Sequence, residues 1–213
     1  MKPILFNTEM VRAILNGRKT VTRRVIKQST NKTFDPFWEC YTNDNGKVVL
    51  LKAPYSPGDI LYVREAWGDY RECEEDGESL YYLYRADYPD GATTYQHPGG
   101  MTCELPKWHP SIHMPKEAAR IFLRVTDVRV ERLRDITEAD AAKEGLYKGW
   151  RLGGRGSLAL TVRQAFMWLW MSLTEKGPVI YTWALNPWVW VIEFERCEKP
   201  KEDHEAWNRR AEE

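Results

Sequence analysis

Two long runs alternate apolar with polar residues and constrain the fold more than any other feature: RIFLRVTDVRVERL at residues 120–133 and PWVWVIEFER at residues 187–196. A period of two puts one side of a strand into a core and turns the other outward. Shorter segments of the same kind surround them. PILF (3–6) reads as a short buried strand, and KTVTRRVI (19–26) alternates β-branched with polar residues. KVVLLKAP (47–54) follows a hairpin turn expected at Asn43-Asp44-Asn45-Gly46, and residues 60–67 follow the punctuated turn YSPGD.

Helical spacing is rarer. Asn7 or Thr8 can cap a helix whose apolar face is Met10, Val11, Ile14 and Leu15, and Gly17 stops it. Thr137 and Asp140 form an [ST]-x-x-[DE] start for a short helix that Gly145 closes. Residues 160–173 predict a second C-terminal helix with Phe166, Leu169, Trp170 and Leu173 on one face. Strands outnumber helices, and most are short and turn-linked. The expected fold class is α+β, a single mixed β-barrel with two or three flanking helices. Between residues 68 and 117 the pattern weakens around one strand-like run, LYYLYRA. That stretch reads as a long loop insertion within one domain of residues 1–197, and 198–213 as a charged tail.

Composition mainly excludes. With 43% hydrophobic and 29% charged residues the chain is globular rather than disordered. No run approaches the roughly 18 apolar residues needed to cross a bilayer, so no membrane partner is expected. The N-terminus reaches Glu9 before an apolar segment could form, which argues against a secretory signal. The four cysteines, Cys40, Cys73, Cys103 and Cys197, form no CxxC pair and fit a reduced, cytoplasmic setting. A formal net charge of zero argues against a non-specific polyanion binder. The charge is nevertheless uneven: residues 10–32 hold seven Lys/Arg and no acid, while residues 69–90 hold eight acids. Such a basic face suits a small anionic partner, or is ordinary solvated surface.

Several constellations hold residue types suited to chemistry. Cys103, His109 and His113 contain metal-ligating types, but Pro110 and Pro115 interrupt any helix that could align them, so no metal and no cofactor is expected. Gly153, Gly154 and Gly156 match neither phosphate-loop nor dinucleotide spacing and read as a linker. Of the ten tryptophans, Trp168, Trp170, Trp188 and Trp190 sit at core spacings, whereas Trp67 and Trp108 flank the insertion and are candidates for base stacking. The sharpest local signal is NGRKTVTRR at residues 16–24, four cations and two threonines just after Gly17. A hydroxyl beside a lysine can act as a nucleophile once the amine is neutral, and burial among cations favours the neutral amine. The plainer reading is a strand edge carrying basic residues.

The run GRKTVTRR resembles the GxKxxExR signature of the ASCH domain, a PUA-like β-barrel family. Further segments look like ASCH-type proteins of phages and prophages: SPGDILYVREAW, WHPSIHMPKEAARI, VTDVRVERLRDITEADAAKEG and NPWVWVIEFER. Thr22 stands at the signature's glutamate position. In this respect the chain is similar to the bacterial amidohydrolases that remove the acetyl group of acetylcytidine, which carry a lysine, a threonine three residues on, and an arginine, here Lys19, Thr22 and Arg24. Their glutamate, late in a short helix after a long strand, corresponds to Glu144.

The resemblance implies acyl transfer in the cytoplasm of a bacterial host. Thr22 would attack the amide on the exocyclic nitrogen of cytosine, Lys19 would accept its proton, and Glu144 would protonate the leaving nitrogen or orient the lysine. Arg24, Arg23, Arg64, Glu65, Trp67 and His113 are the expected contacts to a nucleoside or RNA substrate. The alternative is a non-catalytic module of phage origin that binds RNA or a modified base through the same basic cleft. One geometric requirement follows. In a regular strand Lys19 and Thr22 point to opposite faces, so the mechanism needs a turn or bulge at Lys19 or Thr20.

Overall fold

The structure is a computed structural model that describes residues 1–26, 34–35, 40–42, 48–50, 52–74, 77–151 and 158–200. The first strand, β1 (Lys2–Leu5), leads into helix α1 (Thr8–Leu15) and then β2 (Val21–Val25). Three short strands follow, β3 (Phe34–Asp35), β4 (Cys40–Thr42) and β5 (Val48–Leu50), before β6 (Ile60–Arg64). Next come β7 (Trp67–Glu74), β8 (Gly77–Tyr84), β9 (Thr94–Gln96) and β10 (Thr102–Glu104). The chain continues through β11 (Phe122–Arg132), α2 (Glu138–Lys143), α3 (Val162–Thr174) and β12 (Trp188–Cys197).

The two alternating runs, now β11 and β12, pair antiparallel along almost their whole length, with one register shift between Val125 and Asp127. They are the centre of a five-stranded sheet of order β1-β6-β11-β12-β2, in which only β1 and β6 run parallel. The alternation has its expected effect. Val189 and Val191 belong to a core with Val21, Phe166, Leu169 and Trp170, under α2 and α3. Trp190, Ile192 and Phe194 belong to another core with Ile4, Leu123 and the α1 residues Val11 and Ile14. Each face of the sheet thus carries its own helices.

Two expectations are corrected. Among the described strands the barrel does not close: β1 and β2 remain the two edges of an open sheet, bridged by a side chain, Arg24 Nη2 donating to the Leu5 carbonyl at 2.8 Å. Residues 68–117 are not mainly loop. They contain the hairpins β7-β8 and β9-β10 and two 3-10 turns, Arg85–Asp87 and Ser111–His113. The hairpin turn expected at residues 43–46 lies outside the described residues, although β4 and β5 on either side of it pair antiparallel. Gly153, Gly154, Gly156 and residues 201–213 also lie outside them. Among the described residues no helix is long and apolar enough to cross a membrane.

Candidate active site at the β2 edge

Helix α1 starts at Asn7, whose side chain accepts from the Met10 N–H at 2.8 Å. It ends where Gly17 adopts a left-handed φ of 69°, which lets the Arg18 and Lys19 N–H groups turn back onto the Ala13 carbonyl, at 2.8 and 3.1 Å. Lys19 therefore lies before the regular strand, which begins only at Val21. Its backbone forms an isolated antiparallel bridge with Glu144, and the Thr20 N–H bonds the Lys143 carbonyl at 2.8 Å. The end of α2 is in effect a short extension of the sheet edge.

Glu144 is delivered by α2, which Thr137 caps by accepting from the Asp140 N–H at 3.1 Å. Gly145 then reverses the chain at φ 92°, and a Cβ there would come within 2.7 Å of the Ala13 Cβ and 3.1 Å of the Lys19 Cβ. That close approach brings the ends of α1 and α2 together. Across it, Lys19 Nζ lies 2.6 Å from Glu144 Oε2, 3.1 Å from the Glu144 carbonyl and 2.8 Å from the Val21 carbonyl. An ammonium has three protons, so every one is engaged. Arg23 Nη1 takes the other carboxylate oxygen, Oε1, at 3.2 Å.

Lys19, Thr22, Arg23 and Glu144 are all buried, none more than 4% exposed. Burial is the largest influence on Lys19 and lowers its pKa below the ordinary lysine value; Glu144 opposes this, while Arg24 and Arg23 add to it. Burial also lowers the pKa of Arg24, against the pull of Glu144 and Tyr55.

The Phe6 ring supplies the apolar wall. Lys19 Nζ sits 5.5 Å and the Arg24 guanidinium carbon 5.4 Å from its centroid. Thr22, two residues before Arg24 on the strand, shares that face. The turn at Gly17 thus brings the Lys19 amine to the Phe6 ring that Arg24 also meets. The Thr22 hydroxyl makes no hydrogen bond among the described residues, and Lys19 is not its partner.

A cleft of about 420 Å³ opens on the Glu144 side, between α1 and residues 145–151, with Asn7, Met10, Arg18, Tyr147 and Trp150 among its walls. Arg18 donates to the Gly145 carbonyl at 2.7 Å and lies 5.8 Å over the Tyr147 ring, which is half-exposed. Glu144 borders this cleft; Lys19 and Thr22 stand behind it.

The other expected contacts lie elsewhere. Arg64 Nε donates to the Met114 carbonyl at 2.9 Å. Glu65 is buried and held by Arg120 at 3.0 and 3.1 Å, and Arg120 in turn grips Asp87. Burial raises the Glu65 pKa, against the effect of Arg120. Trp67 packs on His109, with ring centroids 4.8 Å apart, and its Nε1 is buried without a partner among the described residues. His113 is exposed on its 3-10 turn. Among the described residues the side-chain hydrogen bonds of Lys19 and Glu144 go to one another, to Arg23 and to the Val21 and Glu144 carbonyls, not to these four. Likewise, among the described residues no group of three or more His, Cys, Asp or Glu could hold a metal, Cys103, His109 and His113 included.

Arg23 is the residue whose setting the sequence reading missed. Its side chain is 0% exposed and tied to Glu144 and Glu131. The signal was present: Val21 and Val25 share its strand face, and a cation on an apolar face must find buried anions.

Set against protein-family models, curated proteins and solved structures, the chain finds no match.

Proposed function

We propose that this protein is an ASCH-like amidohydrolase, built on a PUA-like variant with an open sheet, that removes an acyl group from the exocyclic nitrogen of a cytosine nucleoside or nucleotide. The observation that carries the reading is the buried 2.6 Å contact between Lys19 Nζ and Glu144 Oε2. A proton moving along that contact converts the ion pair into a neutral amine and a carboxylic acid. Burial and the nearby Arg24 and Arg23 favour the neutral amine. One transfer thus readies a base and an acid together.

In this scheme Lys19 releases the Val21 carbonyl and accepts the Thr22 proton as Oγ1 attacks the acyl carbon. Collapse of the tetrahedral intermediate breaks the C–N bond. Glu144, which borders the cleft, gives its proton to the departing cytosine nitrogen. Lys19 then passes its proton back to the emptied Glu144 carboxylate, takes one from water as the hydroxide attacks the threonyl ester, and returns it to Thr22 Oγ1 as the carboxylic acid leaves. Arg24 holds fixed positive charge on the Thr22 face.

The test is cytidine release from N4-acetylcytidine. Thr22→Ala, Lys19→Ala and Glu144→Gln should each lower kcat/KM by about 10²-fold or more, the usual size of a general acid–base contribution. Undiminished turnover in these variants, or inert parent protein, removes the proposal.

A second reading draws on the same geometry. All three Lys19 protons are satisfied and the Thr22 side chain is buried, as in a structural pair. The protein would then be a non-catalytic RNA or modified-base binding module, with Tyr147 and Arg18 at the cleft offering a ring and a cation. RNA binding that weakens steeply with salt, without turnover, selects it.

A further inference from the structure

The Glu144 carboxylate is shared between two buried cations, Lys19 on Oε2 at 2.6 Å and Arg23 on Oε1 at 3.2 Å. Arg23 does more than pair. Its Nη2 reaches Glu131 Oε2 on β11 at 3.2 Å, and its guanidinium carbon lies 5.8 Å over the Phe166 ring of α3. The fork therefore joins the end of α2 to the middle of the sheet, beneath α3. A lysine could supply charge at this place but could not span two carboxylates with a rigid fork.

We infer that Arg23 is a positioning residue that turns Glu144 toward Lys19 and sets the pH at which the Lys19 amine loses its proton. The inference rests on Lys19 and Glu144 being the working pair of the proposed reaction. Among the described residues the charged groups acting on Lys19 are Glu144 from the end of α2 and Arg23 and Arg24 from β2, while Phe6 after β1 presents an apolar ring and the Ala13 carbonyl of α1 accepts the Lys19 N–H. Behind Arg23, Glu131 is shared with Arg129, which also binds Asp127 of β11 and Glu193 of β12. A positive fork on the shared carboxylate weakens that carboxylate's hold on a second cation. Removing its charge should let Lys19 keep its proton to higher pH. Removing the anion behind it should do the reverse.

The experiment follows Lys19 by lysine-labelled NMR through a pH titration of the full chain, its signal assigned by its loss in Lys19→Met. In Arg23→Gln the midpoint should rise by about one unit, the lower end of what a charge within roughly 4–6 Å produces. In Glu131→Gln it should fall. Arg23→Lys should restore most of the parent midpoint while lowering thermal stability. A folded Arg23→Gln with an unmoved midpoint overturns the inference, as does a rise in Glu131→Gln. Should Arg23→Gln not fold, the direction in Glu131→Gln decides alone. These readouts need no substrate. Protein that is inert on acylcytidines yet shows the opposed shifts keeps the Arg23 role and loses the hydrolase; active protein without the shifts does the converse.

Discussion

Neutralising Glu144 should destabilise the fold more than deleting the Lys19 amine, although the two form one ion pair. Both side chains are essentially withdrawn from water, at 3% and 0% exposure, so solvent screening does not discount the interaction. Glu144→Gln leaves Lys19 and Arg23 buried without their shared anion, with Arg24 as a further cation close by. Removing one partner of a buried pair costs about 3–5 kcal/mol. A ceiling exists, because Lys19 can fold uncharged. Holding it neutral at pH 7 against an unfolded value of 10.5 costs roughly 1.4 kcal/mol per unit, or about 5 kcal/mol.

Lys19→Met, by contrast, leaves Glu144 on Arg23, a charge-assisted bond worth about 1.5–3 kcal/mol, and its cost should be nearer 2 kcal/mol. The two losses also differ in pH dependence. A lysine whose folded pKa is depressed opposes folding at low pH, and that opposition fades as pH rises through the lowered folded value toward 10.5. The penalty of Glu144→Gln should therefore shrink as pH rises from 7 toward 10.5, and that of Lys19→Met should not. Urea unfolding followed by tryptophan fluorescence measures both, provided m is unchanged. A Lys19→Met loss equal to or larger than that of Glu144→Gln, or a Glu144→Gln loss flat across that range, would refute the reasoning.

Gly145→Ala should destabilise by about 1–3 kcal/mol, seen as a lower Tm, because φ is 92° and the new Cβ would press on Ala13 and Lys19. Thr137→Ala removes the cap of α2 and should cost about 1 kcal/mol in urea unfolding, with Thr137→Ser recovering most of it. The kcat/KM for acylcytidine hydrolysis should hold while the Lys19–Glu144 pair keeps its shared proton and fall once the pair loses it to solvent, below pH 10.5 because burial lowers the Lys19 pKa; a profile that rises through that range would exclude the shared-proton scheme.

Much of the scaffold was legible in local pattern. The period-two runs marked β11 and β12, Asn7 and Thr137 marked helix starts, and Gly17 and Gly145 marked the turns that end α1 and α2. The insertion was harder to read. Its hairpins β7-β8 and β9-β10 are rich in acids and aromatics that pair across strands, so they carry little one-sided alternation. Closure into a barrel was a matter of edges, and an alternating pattern is the same in an open sheet as in a closed one.

By itself, then, the sequence determined which segments are strands and helices and which residue types crowd the run after Gly17, because burial periodicity and turn chemistry act over a few neighbouring residues. Only the tertiary structure decided which anion each cation meets. Glu144 reaches Lys19 across 125 positions of chain because two helix ends touch at a glycine. Arg23 meets Glu144 and Glu131 because its face of β2 lies under α3. Such pairings follow from long-range packing and desolvation, for which no local spacing carries a signal.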